Sequence, residues 1–206
     1  MQFEKIEADG EVFVLPIPKN YRDCFELIRS DYYRHGGRHK SVFRIWINSW
    51  SRIAMGFSIW FRLSQHHGWL YPLSRIMLRR YKHLYNLFVP KDTRIGYGLY
   101  IQHCCGLVIN KRAIIGNNVN IGQFTTIGTN VERAAIIGNN VYLGANVNII
   151  DDVVLHSNCT VGTGAVVTHN VAPNTCVVGI PAKPIAVPHH AEFIRHPWPL
   201  PKEMLQ

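Results

Sequence analysis

The 206-residue sequence predicts a mainly β fold, a parallel β-helix of hexapeptide repeats preceded by an α-helical N-terminal region. Three observations carry that prediction. An aliphatic residue returns every six positions through the second half of the chain. Gly-Asn-Asn runs stand at matching places in that period, at 116–118 and 138–140. The first half, rich in tryptophan and arginine, lacks the period. Six is neither the helical period nor the two-residue alternation of an amphipathic strand. It is the period of a coil wall, where each short strand turns a corner and stacks on its counterpart one coil away. The asparagines supply corner residues that tolerate positive φ.

Composition agrees. Apolar residues make up 47% and charged residues 17%, which excludes a solvated tail. The net charge of +9 belongs to the first half: residues 1–94 hold 16 Lys or Arg against 8 Asp or Glu, and residues 95–206 hold 6 against 5. The opening MQFEKIEADGEVFVLP is acidic and lacks the basic-then-apolar order of a secretory leader. Arg44, Arg52 and Arg62 interrupt the longest apolar run before it reaches the ~18 residues of a membrane span. Five cysteines without framework spacing or a CxxC pair predict reduced thiols and a cytoplasmic enzyme.

Residues 1–92 read as the helical region. Asn20 is placed to cap a short helix over NYRDCFELIRSDYYR. From Val42 to Leu63 the polar residues Arg44, Asn48, Ser51, Arg52, Ser58 and Arg62 form one narrow helical stripe. The other faces carry Phe43, Trp46, Trp50, Phe57, Trp60 and Phe61. A third helix, Pro72 to Phe88, is expected to turn Leu73, Ile76, Met77, Leu84 and Phe88 inward and Arg75, Arg79, Arg80 and Lys82 outward. Such helices would cap the coil and meet other subunits. Their basic, tryptophan-rich surface also fits an anionic membrane at the inner face, where a lipid-linked substrate would reside. Nucleic acid is not expected as a partner, since no recognition motif accompanies the charge.

Residues 93–183 form the coil, and 184–206 a C-terminal tail. Ile115-Gly116, Ile121-Gly122, Ile127-Gly128, Ile137-Gly138 and Leu143-Gly144 mark the period, continued by Ile149, Leu155, Val161 and Val167. It slips twice. Gly96 to Gly116 is 20 residues, three hexads plus two, and Gly128 to Gly138 is 10, one hexad plus four. Each surplus must leave the wall for the strands to keep stacking. The second falls around TNVERA, 129–134. The first lies between 97 and 114, where QHCCG is the least repeat-like stretch, although Leu107 also sits on a hexad from Ile101. His103 is thereby pushed out of the wall, into solvent or against a neighbouring subunit.

These segments resemble the hexapeptide-repeat acyltransferases, in their serine-acetyltransferase-like branch. QHCCGLVIN is similar to that family's Asp-His-x-x-Gly-(Ile/Leu)-Val-Val segment, with His103 at the catalytic histidine. VGTGAVVTHNVAPNTCVVGIPAKPI, 161–185, is similar to the closing segment. The resemblance implies a left-handed coil, a homotrimer, and acetyl-CoA as co-substrate in the groove between two subunits, with no metal required. It departs at Gln102, where the family has aspartate. It departs again at Ala134, where the family has a second histidine; Arg133 before it matches. Both departures remove groups that would hold a free amino acid. The expected acceptor is therefore a sugar hydroxyl in capsule, O-antigen or exopolysaccharide synthesis, free or lipid-linked; serine O-acetylation is the alternative.

An attacking hydroxyl must lose its proton, and a neutral imidazole suits that task near pH 7. His103 is the expected base, with Gln102 and Arg133 beside the acceptor. Gly128, Thr129, Gly144, Ala145, Gly162 and Thr163 would leave room for the pantetheine arm, and Lys183 would meet nucleotide phosphates. Cys104, Cys105 and Cys159 read as packing residues and His156 and His169 as surface corners. A zinc hydratase using His103, His156 and His169, or a non-catalytic scaffold, are the alternatives of another class.

Overall fold

The computed structural model describes residues 1–49, 52–186 and 193–204; Trp50 and Ser51 lie outside the described residues. The chain opens with an antiparallel hairpin, β1 (Gln2–Ala8) and β2 (Glu11–Ile17). Reading the N-terminal region as helical overlooked it. Its signals are period-two alternation on both sides of Asp9-Gly10, whose φ values of 49° and 79° are those of a two-residue type I′ turn.

Helix α1 (Tyr21–Tyr33) starts where Asn20 Oδ1 accepts from the Asp23 amide at 3.0 Å. The long helix expected from Val42 to Leu63 is two, α2 (Val42–Ser49) and α3 (Ile53–Leu63). Helix α4 (Tyr71–Tyr85) follows, with proline in its first turn and Asn86 left-handed at its end. Its orientation differs from expectation. The buried side carries Ser74 and Leu78, whereas Leu73, Ile76, Leu84 and nearby Phe88 are exposed together with the arginines. An apolar stripe orients a helix only when it is single, and α4 has apolar residues on two sides.

From Arg94 onward the chain coils as a β-solenoid with three parallel walls. Wall one stacks Arg94–Ile95, Ile114–Ile115, Ile136–Ile137 and Val154–Leu155. Wall two stacks Tyr100–Ile101, Asn120–Ile121, Tyr142–Leu143, Thr160–Val161 and Cys176–Val178, closed by antiparallel Lys183–Ile185. Wall three stacks Val108–Ile109, Thr126–Gly128, Asn148–Ile150 and Val166–Val167. The second residue of each pair points inward, and the aliphatic slots form one continuous core. Corner residues Asn118, Asn140, Asn146, Asn158 and Asn174 all have positive φ. Among the described residues no helix is long and apolar enough to cross a membrane.

Two additions brace the coil. The hairpin runs along the stack: Glu4 meets Arg94 at 3.0 Å, Val14 O accepts from Asn117, Phe13 lies against Gly138, and Glu11 reaches Ser157. The tail returns across wall two, where Trp198 pairs with Asn118 in both directions and Phe193 O accepts from Asn120. At the base, the buried Asp31 and Arg62 fasten α1 and α3 to the first coil.

Candidate active site

The wall registers locate both surpluses. Ile101 pairs with Ile121 and Ile109 with Ile127, so the two extra residues lie within 102–108. Leu107 is buried without being the paired slot. Ile127 to Ile137 places the four-residue surplus in the 129–135 segment.

The first surplus forms a loop at the corner between walls two and three. Its ends are fixed. The Gln102 amide donates to Ile121 O at 2.9 Å, the Gly106 amide to Tyr85 O at 3.0 Å, and the Phe124 amide to Cys105 O at 3.1 Å. His103 and Cys104, at φ 52° and 24°, are consecutive non-glycine residues in left-handed backbone. Each costs of order 1–3 kcal/mol and persists only where its surroundings impose it. Here they do: Cys104 turns inward and is buried while His103 projects outward, exposed. Burial pushes the Cys104 thiol up to about 12, so it is no nucleophile near neutral pH.

The same corner repeats up the coil. The Gly122 amide donates to Leu143 O, that of Gly144 to Val161 O and that of Gly162 to Val177 O, continuing the row begun by Gln102. A Cβ on Gly122 would lie 2.5 Å from the Gly144 carbonyl carbon, and one on Gly144 would lie 2.7 Å from the Thr163 amide. Only glycine permits that stacking, and it leaves bare backbone along the corner. Ala145 and Thr163 flank the row. Lys183 pairs with Val178 at its end, five strand spacings or roughly 24 Å from the His103 coil. These residues fit an extended pantetheine arm ending in phosphates.

Gly128, Thr129 and Arg133 do not join that row. They occupy the corner between walls three and one. Thr129 Oγ1 donates there to Arg133 O at 2.6 Å, and the Asn130 amide donates to Asp151 at 3.0 Å. Gly128 and Thr129 also line a cavity of about 1270 Å³ between α4 and wall three. Within one chain, then, the expected residues form two groups on different corners.

His156 was expected at the surface. It is 8% exposed, with Nδ1 2.8 Å from Glu11 and Nε2 3.1 Å from Asp9. Burial alone would lower its pKa, but these carboxylates outweigh burial and hold it above the ordinary value. With both nitrogens facing acceptors, His156 is committed to the hairpin and not to a metal. Among the described residues no group of three His, Cys, Asp or Glu could hold one. His169 is exposed beside Thr168 Oγ1. One residue beside the loop escaped the sequence reading. Phe124, 57% exposed at φ 60°, lies over Gly106. It replaces the small corner residue that the next coils have at Asn146 and Gly164, and that substitution was the available signal.

Comparison with known proteins agrees with this architecture. Residues 134–169 match the bacterial transferase hexapeptide (six repeats) and residues 112–145 the hexapeptide repeat of succinyl-transferase. The chain is 34% identical over 131 residues to serine acetyltransferase of Buchnera aphidicola, covering 60% of this chain and 50% of that protein. It is 31% identical over 99 residues to that of Escherichia coli K12, covering 46% and 36%. The chain thus spans about half the length, or less, of the curated relatives it matches. Among solved structures, serine acetyltransferase of Neisseria gonorrhoeae in complex with serine superposes with TM-score 0.61 at 27% identity, covering 80% of this chain and 69% of that one. The soybean enzyme complexed with serine gives 0.52 at 30%, covering 65% and 54%.

These relatives overturn the expected sugar acceptor and the role in polysaccharide synthesis, because they are serine acetyltransferases. The physical weakness of that expectation lies at Ala134. Its side chain is 6% exposed and packs in the coil core, so alanine there says nothing about which acceptor is held outside. With its repeats, helical preface and projecting histidine loop, the chain fits the hexapeptide-repeat acyltransferases, in their serine-acetyltransferase-like branch.

Proposed function

We propose that this chain transfers the acetyl group of acetyl-CoA to the hydroxyl of L-serine, with His103 as general base. The observation that carries the reading is the 102–108 loop, which spends two left-handed residues to project an exposed imidazole at the foot of a bare-backbone corner. Its similarity to serine acetyltransferases supports the acceptor. His103 takes the proton from the serine hydroxyl as that oxygen attacks the thioester carbonyl. The carbon–sulfur bond then breaks, and the imidazolium returns the proton to the departing CoA thiolate. Backbone amides near the loop would stabilise charge on the carbonyl oxygen. Gln102 lies beside the acceptor, while Gly144, Ala145, Gly162, Thr163 and Lys183 hold acetyl-CoA. A homotrimer would bring the Gly128, Thr129 and Arg133 corner of one copy toward the His103 corner of the next.

The test measures thiol release from acetyl-CoA with L-serine and a panel of other hydroxyl acceptors. His103→Ala should lower turnover at least ~10²-fold with acetyl-CoA affinity nearly unchanged. Near-normal turnover by that variant removes His103 from the mechanism. Turnover of other hydroxyls with none of L-serine overturns the acceptor.

A further inference from the structure

Between Asp31 and Asp92 the chain has no acidic residue and eleven Lys or Arg. Arg34 and Arg62 are buried and hydrogen-bonded, but Arg38, Arg44, Arg52 and the cations of α4 are exposed. Large apolar side chains are exposed among them. On α2 only Ile45 is buried, while Phe43 is 70% and Ile47 52% exposed. On α4, Ile76 is 65% and Leu84 57% exposed, with Arg79 and Arg80 between them. Both helices pack on α3; Arg75, Ile76, Arg79 and Lys82 face the cavity beside wall three, while Leu73, Arg80 and Leu84 of α4 and Phe43, Arg44 and Ile47 of α2 are exposed outside it as a basic and apolar surface.

We propose that this α2–α4 surface docks on a bilayer containing anionic lipid. Three physical points select that partner. A second copy presenting the same surface would set cations against cations with no carboxylate to relieve them. Nucleic acid would satisfy the arginines and stack on Phe43, but Ile47, Leu73 and Leu84 have no ring to stack on a base and would stay in water. An anionic bilayer answers both halves: lipid headgroups meet the cations, and the aliphatic side chains enter the acyl boundary without spanning it. The surface acts independently of which acceptor is acetylated, and binding can be read without catalysis.

The experiment is flotation of the full chain with vesicles of phosphatidylcholine alone or mixed with phosphatidylglycerol, at low and high salt. The chain should float with the anionic vesicles and not with the neutral ones. Arg38→Gln/Arg44→Gln/Arg80→Gln should weaken partition about 10²-fold, at about fivefold per cation near the surface. Ile47→Ser/Leu84→Ser should lower the binding that survives high salt by at least about tenfold. Circular dichroism and thiol release identify folded variants. The proposal is overturned if the chain stays in the soluble fraction with both vesicles, floats equally with both, or is undiminished in the arginine variant. Tighter retention by a single-stranded oligonucleotide than by anionic vesicles overturns it as well.

Discussion

Replacing Arg62 by methionine should detach the helical region from the coil before it disturbs any catalytic group. Arg62 is fully buried. Its guanidinium donates to both Asp31 carboxylate oxygens at 2.9 and 3.0 Å and to the carbonyls of Ile95 and Gly96 at 2.8 and 2.7 Å. Asp31 also accepts from Ser58 Oγ and from the Leu99 amide at 2.8 Å. Arg62→Met fills the volume but leaves a buried carboxylate without its cation and two carbonyls without donors. Breaking a buried pair from one side costs about 3–5 kcal/mol. At about 2–4 °C per kcal/mol for a domain of this size, the unfolding midpoint should fall by roughly 6–20 °C. The assay is thermal unfolding by circular dichroism at fixed protein concentration, since assembly also moves the midpoint. Asp31→Asn/Arg62→Met removes the stranded charge and should recover part of the loss. A single variant that melts within about 1 °C of the parent would show that the Asp31–Arg62 cluster does not hold the helices to the coil. So would a double variant less stable than the sum of the two single losses.

Other consequences are open to measurement. Because the folded pKa of His156 is raised, its contact with Asp9 and Glu11 is fully present below pH 6.5 and is lost as pH rises through the folded value. Melting temperature should therefore decline over that upper range, and His156→Gln should flatten the decline. Gln102→Asp restores a charge beside the acceptor and should lower the KM for L-serine by about one to two decades, through a charge-assisted hydrogen bond to the ammonium; an unchanged KM places residue 102 away from the acceptor. Gly122→Ala drives a Cβ into the coil above and should destabilise by roughly 1–3 kcal/mol, read as a lower midpoint in thermal unfolding. Cys105→Ser should retain turnover, and an acetylated cysteine trapped during turnover would contradict direct transfer.

The coil was legible because six-residue periodicity is a strict geometric constraint: every slot that stacks must recur in step, and a surplus shows as a miscount. The count could not choose between Leu107 and Ile109 as the paired slot, since both are inward and apolar; pairing of Ile109 with Ile127 decides it. The helical region was less legible. Nothing local distinguishes the buried Leu78 from the exposed Ile76 two residues earlier, because the base of the coil makes that choice. The hairpin is legible in the alternation around Asp9-Gly10, a two-residue period that lies outside both the helical and the six-residue patterns of the rest of the chain. At the site, His103 was visible as a residue out of step, and the division of the remaining residues between two corners required the wall registers.

The hairpin along the stack has a consequence for how the coil comes apart. A solenoid whose turns touch only their neighbours unfolds as a chain of loosely coupled units, and its last turn frays first. Here one covalent ribbon grips the first turn through Glu4–Arg94, the second through Val14–Asn117 and the fourth through Glu11–Ser157. Loosening the top turn therefore strains the grip on the bottom one. The ribbon makes a linear stack behave as a closed frame, in which hydrogen exchange at Val154 and Val161 should track that at Ile95 and Ile101. With residues 1–17 removed, the frame becomes a stack again, and those two ends should exchange at different rates.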